Sequence, residues 1–192
     1  MLIKKAGCNF IKVGIESGSA KILKLMKKDI TLGQIRKAAK LLREVGIHWT
    51  GYFMMGVVGE KEKDIYKTLD LVHEIKPDLA LIGVYEPFPG TVMFNEGLKR
   101  DLVTESMSLK DFYSVMPNNY YKVDPNIQTD TISPERFSEI EIEVKEGFRK
   151  YNMRGGNILR MAWSKIDVYL REPKIFMEDF QKFKKYAWSK KS

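Results

Sequence analysis

Cysteine is almost missing from this chain: Cys8 is the only one in 192 residues. A lone thiol builds neither a disulfide framework nor a cysteine-based metal cluster within the chain. Histidine is nearly as scarce, and His48 and His73 lie far apart in sequence, so no histidine cluster offers a metal site. No apolar run reaches the length of a membrane span, and the first residues lack the apolar core of a signal peptide. A soluble, cytoplasmic protein is the expectation from these absences.

What is present describes a folded domain. The hydrophobic fraction is 44% and charge of both signs is spread along the chain, which argues against disorder. The net charge of +8 invites a nucleic-acid reading. Residues 1–100 carry 17 basic against 11 acidic side chains and residues 101–192 carry 16 against 14, so neither half is overwhelmingly basic. The groups Lys21/Lys24/Lys27/Lys28 and Lys182/Lys184/Lys185/Lys190/Lys191 read as solvated helix faces or a frayed terminus. Nucleic acid is not expected as a partner.

The stretch Lys12-Val13-Gly14-Ile15-Glu16-Ser17-Gly18-Ser19 is an apolar run that stops in a carboxylate, two hydroxyls and two glycines. Phe10 to Ile15 reads as a short buried strand. The polar residues then sit at its carboxyl end, where parallel α/β sheets bind ligands. Ser19 is placed to cap a helix from Ala20 to Met26, and Thr31 and Gln34 have the capping-box spacing. Behind them Leu32, Ile35, Ala39, Leu42 and Val45 recur at helical intervals, with Gly46 as a left-handed cap.

The rhythm repeats. A strand His48–Met55 precedes Gly56-Val57-Val58-Gly59-Glu60; a helix with Ile65, Leu69, Val72 and Ile75 on one face stops at Pro77; a third strand runs from Leu79 to Tyr85 and ends in Glu86-Pro87-Phe88-Pro89-Gly90-Thr91. Three near-continuous apolar strands joined by helices predict parallel neighbours buried on both faces. Met107 to Ile132 reads as an irregular lid or linker. Ser133-Pro134 opens a helix striped with Phe137, Ile140, Val144, Phe148 and Tyr151. Gly155-Gly156 is expected to break the chain before helices at Ile158–Leu170 and Pro173–Trp188. Their aromatic residues, Trp163, Tyr169, Phe176, Phe180 and Phe183, are expected to serve packing. Three parallel strands leave two long edges open, and Leu2 to Gly7 reads as the last turn of a helix. The chain is therefore expected to be the C-terminal part of a larger barrel or sheet.

Three segments, in this order, resemble the second half of a radical S-adenosylmethionine enzyme: Ala6-Gly7-Cys8 leading into Val13 to Ser19, Met54 to Glu60, and Pro87-Phe88-Pro89-Gly90-Thr91. The likeness is strongest to the class with a cobalamin-binding domain upstream, including its anaerobic cyclase and methyltransferase-like members. It implies an α/β fold: the C-terminal half of a partial (β/α)6 TIM-like barrel with parallel strands in residues 1–100, an irregular linker or lid in 101–132, and a mainly helical extension in 133–192. It implies S-adenosylmethionine as cofactor and, in the full-length family, a [4Fe–4S] cluster on a Cys-x3-Cys-x2-Cys motif that this sequence does not contain. The chain is accordingly expected to be a fragment, a truncated product or one part of a split enzyme, inactive alone. Its expected partner is a missing N-terminal half or a complementary chain, with cobalamin in a missing upstream domain. Cys8 is expected to be a small buried thiol.

Carried over residue by residue, the resemblance gives Glu16 and Ser17 hydrogen bonds to the ribose or methionyl part of the cofactor, with Gly18 and Ser19 on the same rim. Pairing of Glu16 with a lysine is ranked below ligand contact, because the flanking glycines point to close backbone approach. Lys28 stands where some relatives keep a basic residue for the cofactor's carboxylate, and a plain surface lysine is an equal reading. Gly56 and Val57 belong to the segment that passes the adenine, with Val58 where proline is usual. Glu60 is expected to complement a helix dipole. Val84 and Pro87 would line the adenine pocket. No catalytic residue is assigned. The implied chemistry is homolytic cleavage to a 5′-deoxyadenosyl radical that oxidises, methylates or cyclises an unidentified small molecule. A non-catalytic nucleotide- or partner-binding module is the alternative reading, and an RNA-binding protein ranks below it.

Overall fold

The computed structural model describes residues 2–86, 90–102 and 130–188. Strands β1 (Phe10–Glu16), β2 (His48–Met55) and β3 (Leu79–Val84) form one parallel sheet in the order β1-β2-β3. Phe10 pairs with His48 and Thr50 with Leu79. A short α1 (Leu2–Lys5) precedes β1 and ends at Gly7, whose φ of 92° suits only a residue without a side chain. Between β1 and β2 lie α2 (Ala20–Leu25) and α3 (Leu32–Glu44); between β2 and β3 lies α4 (Glu62–Ile75). The capping box at α3 forms as read, with Thr31 Oγ1 accepting from Gln34 N at 3.2 Å and Gln34 Oε1 accepting from Thr31 N at 2.8 Å. A further helix, α5 (Val92–Leu98), is capped by Thr91 and was not foreseen.

One core lies against one face of the sheet. It joins Ile35, Ala39 and Leu42 of α3, Ile65, Val72 and Ile75 of α4, and Trp49, Phe53, Met55 and Ile82 of the strands. The stripe on α6 (Pro134–Asn152) enters the same core: Phe137, Ile140, Val144, Phe148 and Tyr151 are all 2% exposed or less. Burying one such side chain contributes about 1.5–3 kcal/mol, so α6 is held to the sheet by several of these at once. Its last residue, Asn152, also meets the outer edge of β3, where its side chain accepts from Ala80 N at 2.9 Å and donates to Ala80 O at 2.7 Å.

The opposite face of the sheet is not buried, contrary to expectation. Phe10, Tyr52 and Leu81 are 46%, 36% and 38% exposed there. Apolar runs in the strands cannot tell a face packed under helices from a face that belongs to a barrel's interior. The helices α3, α4 and α6 lie on one side, and this is a segment of a TIM-like barrel with much of its inner face uncovered.

The C-terminal helices also differ from the reading. Gly155 and Gly156 begin α7 (Gly155–Ser164) instead of breaking the chain. A kink at Lys165, with φ −113° and ψ 6°, splits the expected second helix into α7 and α8 (Ile166–Arg171), and α9 (Pro173–Trp188) follows. The aromatic residues do not pack on the sheet: Trp163 is 71% exposed, and Phe176 and Phe180 are exposed and stack on each other. Tyr169 meets the Phe176 ring edge-on at 5.3 Å. The lid expected at 107–132 lies, except for its last three residues, outside the described residues.

Candidate functional site

The carboxyl end of β1 carries an irregularity that positions Glu16. Gly14 pairs with Tyr52 and Glu16 with Phe53, so Ile15 is an extra residue and the strand bulges there. Glu16 has a φ of 70°, a left-handed conformation that a residue with a side chain rarely adopts. Bulges of this kind turn side chains at strand ends. The carboxylate folds back over Gly14, where a Cβ would lie 2.5 Å from Oε1. Gly14 is thus the floor on which Glu16 rests.

Lys28 closes on it from the loop after α2, with Nζ donating to Glu16 Oε1 at 2.6 Å. The lysine pairing ranked second in the sequence is therefore made, and it brings together two residues both predicted for the site. Their side chains are 16% and 34% exposed, enough for a ligand to reach. A carboxylate offers two oxygens and about four acceptor positions, so Glu16 keeps capacity for hydroxyls while Lys28 holds Oε1. A cavity of about 470 Å³ opens beside Lys28, lined by Lys24, Lys27, Asp29 and Thr31. Lys21, Lys24 and Lys27 are exposed, as the solvated face read from the sequence requires, and a left-handed turn at Lys27, with a φ of 53°, precedes Lys28.

The next residues serve the turn itself. Ser17 is fully buried; its hydroxyl accepts from Ser19 N at 3.1 Å and lies 3.3 Å from Thr68 Oγ1. Ser19 stands at the cap position of α2 without capping it, because its hydroxyl donates to the buried Asp64 at 2.9 Å. Gly18 is close-packed on α4: a Cβ there would lie 2.2 Å from Lys67 O, and its N–H donates to Thr68 Oγ1 at 2.9 Å. Burial pushes the Asp64 carboxyl up, but bonds from Ser19, Lys67 and the Lys61 N–H outweigh it and hold the group below its usual range.

The loop Gly56-Val57-Val58-Gly59-Glu60 follows β2. Gly56 and Gly59 have φ of 81° and 75°. Val57 and Val58 are buried in a small cluster with Ile22 and Met93. Glu60 is buried too, its Oε2 accepting from Gly56 N at 2.7 Å and Val57 N at 3.2 Å. Burial pushes its carboxyl up to about 7. Glu60 therefore ties the loop together from within, which corrects the helix-dipole role expected for it. Outside tethers complete the hold: Lys21 donates to Gly59 O at 2.8 Å, Asp130 accepts from Gly59 N at 3.1 Å and pairs with Arg100 at 2.6 Å, and Thr131 donates to Glu60 O.

Val84 is half-buried at the end of β3 against Gly56, while Pro87 lies outside the described residues. Cys8 is partly exposed at the start of β1, not buried, because the edge strand leaves it uncovered. Among the described residues no group of three or more His, Cys, Asp or Glu could hold a metal ion.

Residues 1–72 match the sequence profile of the Radical SAM superfamily. An uncharacterized methyltransferase, PH0819, from Pyrococcus horikoshii is 26% identical over 177 residues, 92% of this chain and 32% of the relative. A tRNA-2-methylthio-N(6)-dimethylallyladenosine synthase from Legionella pneumophila is 36% identical over 89 residues, 45% of this chain and 20% of the relative. An anaerobic magnesium-protoporphyrin IX monomethyl ester cyclase from Cereibacter sphaeroides is 26% identical over 153 residues, 79% of this chain and 22% of the relative. The chain spans about a third or less of the length of these curated relatives.

Proposed function

Residues 1–72 belong to the Radical SAM superfamily, and on that premise we propose that this chain supplies the ribose and methionyl rim of an S-adenosylmethionine site in a larger radical enzyme. The observation that carries the reading is the Glu16–Lys28 pair, held at 2.6 Å by a bulged strand end on the uncovered side of the sheet. The two charges fit the cofactor's polar parts. Glu16 would accept from ribose hydroxyls, and Lys28 would face the methionyl carboxylate; charge-assisted bonds of both kinds are among the stronger ones. The loop Gly56 to Glu60, with Val84, would pass the adenine through backbone and apolar contact. Ser17, Gly18 and Ser19 would act by shaping the turn, since their polar groups are engaged inside it.

S-adenosylmethionine, when bound in members of the superfamily, is the source of the radical. What this chain does is bind and orient. The donor set does not fit the [4Fe–4S] cluster, because Cys8 is the only cysteine in the sequence; its ligands would come from outside residues 1–192, on a preceding or complementary polypeptide that also covers the open sheet face. Cobalamin, where used, would be held outside this chain as well. The relatives are named for methyl transfer, tRNA methylthiolation and porphyrin cyclisation, so the substrate stays open among radical oxidation, methylation and cyclisation.

Titration calorimetry with S-adenosylhomocysteine tests the pocket. The chain should bind it, and Glu16→Ala should weaken binding by about tenfold or more, the worth of one charge-assisted bond. No binding, or equal heats for the two proteins, would discredit the assignment.

A further inference from the structure

Residues 101–153 are acidic, with six basic and ten acidic side chains, and the segment that follows is basic again: α7 to α9, residues 155–188, carry seven basic and four acidic side chains, a net +3. The same segment exposes apolar surface. Leu159, Trp163, Ile166 and Leu170 are 71%, 71%, 37% and 74% exposed, at spacings of four, three and four residues. Leu159 and Trp163 share a face of α7, and Ile166 and Leu170 a face of α8, each at the spacing of a stripe that ordinarily faces a core. Phe176, Met177 and Phe180 of α9 are exposed as well, and α9 is fastened to the junction of α7 and α8 by Lys165 on Asp179 at 2.5 Å.

We propose that α7 to α9 form a surface that lies on an anionic lipid membrane. Aliphatic side chains and an exposed tryptophan fringed by Lys and Arg are the composition of an element lying in the interface plane, and no described helix is long and apolar enough to cross a membrane. A second copy of the chain would bring one net-positive surface against another, +3 against +3, which like-charge repulsion disfavours. Nucleic acid would reward stacking aromatics but gains little from Leu159, Leu170 and Met177. The anchor also lies away from the cofactor rim. Asn157 of α7 donates to Tyr151 O at 2.7 Å, and Arg160 lies 3.5 Å from Asp78, whose carboxylate accepts from Trp49 N at the amino end of β2. Glu16 and Lys28 sit at the carboxyl end.

Co-sedimentation with vesicles of phosphatidylcholine alone and of phosphatidylcholine with phosphatidylglycerol tests this. The chain should partition at least about tenfold more strongly onto the anionic vesicles, with the difference collapsing at high salt. Two double variants, Leu159→Ser with Trp163→Ser and Arg171→Glu with Lys174→Glu, alter exposed positions only, so circular dichroism should be unchanged while vesicle binding is lost. Equal partitioning on both vesicles overturns the proposal, as does anionic binding that survives the Leu159/Trp163 variant. So does a dimer in light scattering that the same variant abolishes, or tighter retention on polyglutamate or RNA than on anionic vesicles.

Discussion

Glu60 shows how much a single buried carboxylate can impose on a loop. Burial pushes its carboxyl up to about 7, against the opposing N–H bonds of Val57 and Gly56. The folded form therefore holds its proton more tightly than the unfolded chain. Stability from this group is complete below about pH 4.5 and is lost as pH rises towards 7 and beyond. Relative to Glu60→Gln, the wild-type unfolding free energy in urea should fall by roughly 3 kcal/mol between pH 4.5 and 8. Parallel pH profiles would show that the carboxylate is not desolvated. Carboxylates held low by partners, such as Asp64 and Glu62, act with the opposite sign at lower pH, so the difference between the two proteins isolates Glu60. At this scale the sequence reveals residue type but not orientation. Glu16 was legible as a polar group at a strand end, and Lys28 only through the family resemblance. Pairing of Glu16 with a lysine was weighed and ranked second; it depends on a bulge at Ile15 and a left-handed backbone at Glu16, neither of which has a pattern of its own. Gly18 was read as room for a ligand, and the need for it that the structure shows is room for the backbone of α4.

The elements were legible where local chemistry decides them. The three strands, the capping box at Thr31, the proline start of α6 and its five-residue stripe all follow from spacing and from cap residues. What the stripe packs against was not legible, since a periodic face states that it will be buried but not by what. Asn152 gave no signal at all, yet it satisfies both backbone groups of Ala80 on the outer edge of β3. Edge groups left without partners inside a packed boundary cost about 1–3 kcal/mol each. Asn152→Ala should therefore lower stability by about 2–4 kcal/mol in chemical denaturation, and a loss under about 1 kcal/mol would mean that water replaces the side chain freely. The helices α7 to α9 mark the other limit: their aromatic residues have the spacing of packing residues, yet Tyr169, Phe176 and Phe180 pack on one another while Trp163 stays exposed.

Across the whole molecule, one face of the sheet is sealed by α3, α4 and α6 while the other stays open, with the Glu16–Lys28 pair at its rim. That asymmetry is what a barrel segment requires: a stable outer layer that folds on its own core, and an inner face reserved for ligand and for the strands that complete the wall. The sequence conveyed the first property through helical stripes and the second only through the motifs at the strand ends. Amide chemical-shift mapping of the labelled chain with S-adenosylhomocysteine tests the rim most directly. Shifts should cluster at Gly14 to Gly18, at Lys28 and at Gly56 to Glu60, and leave α7 to α9 unmoved. Shifts confined to other residues, or none at saturating ligand, would contradict the placement of the cofactor on this edge.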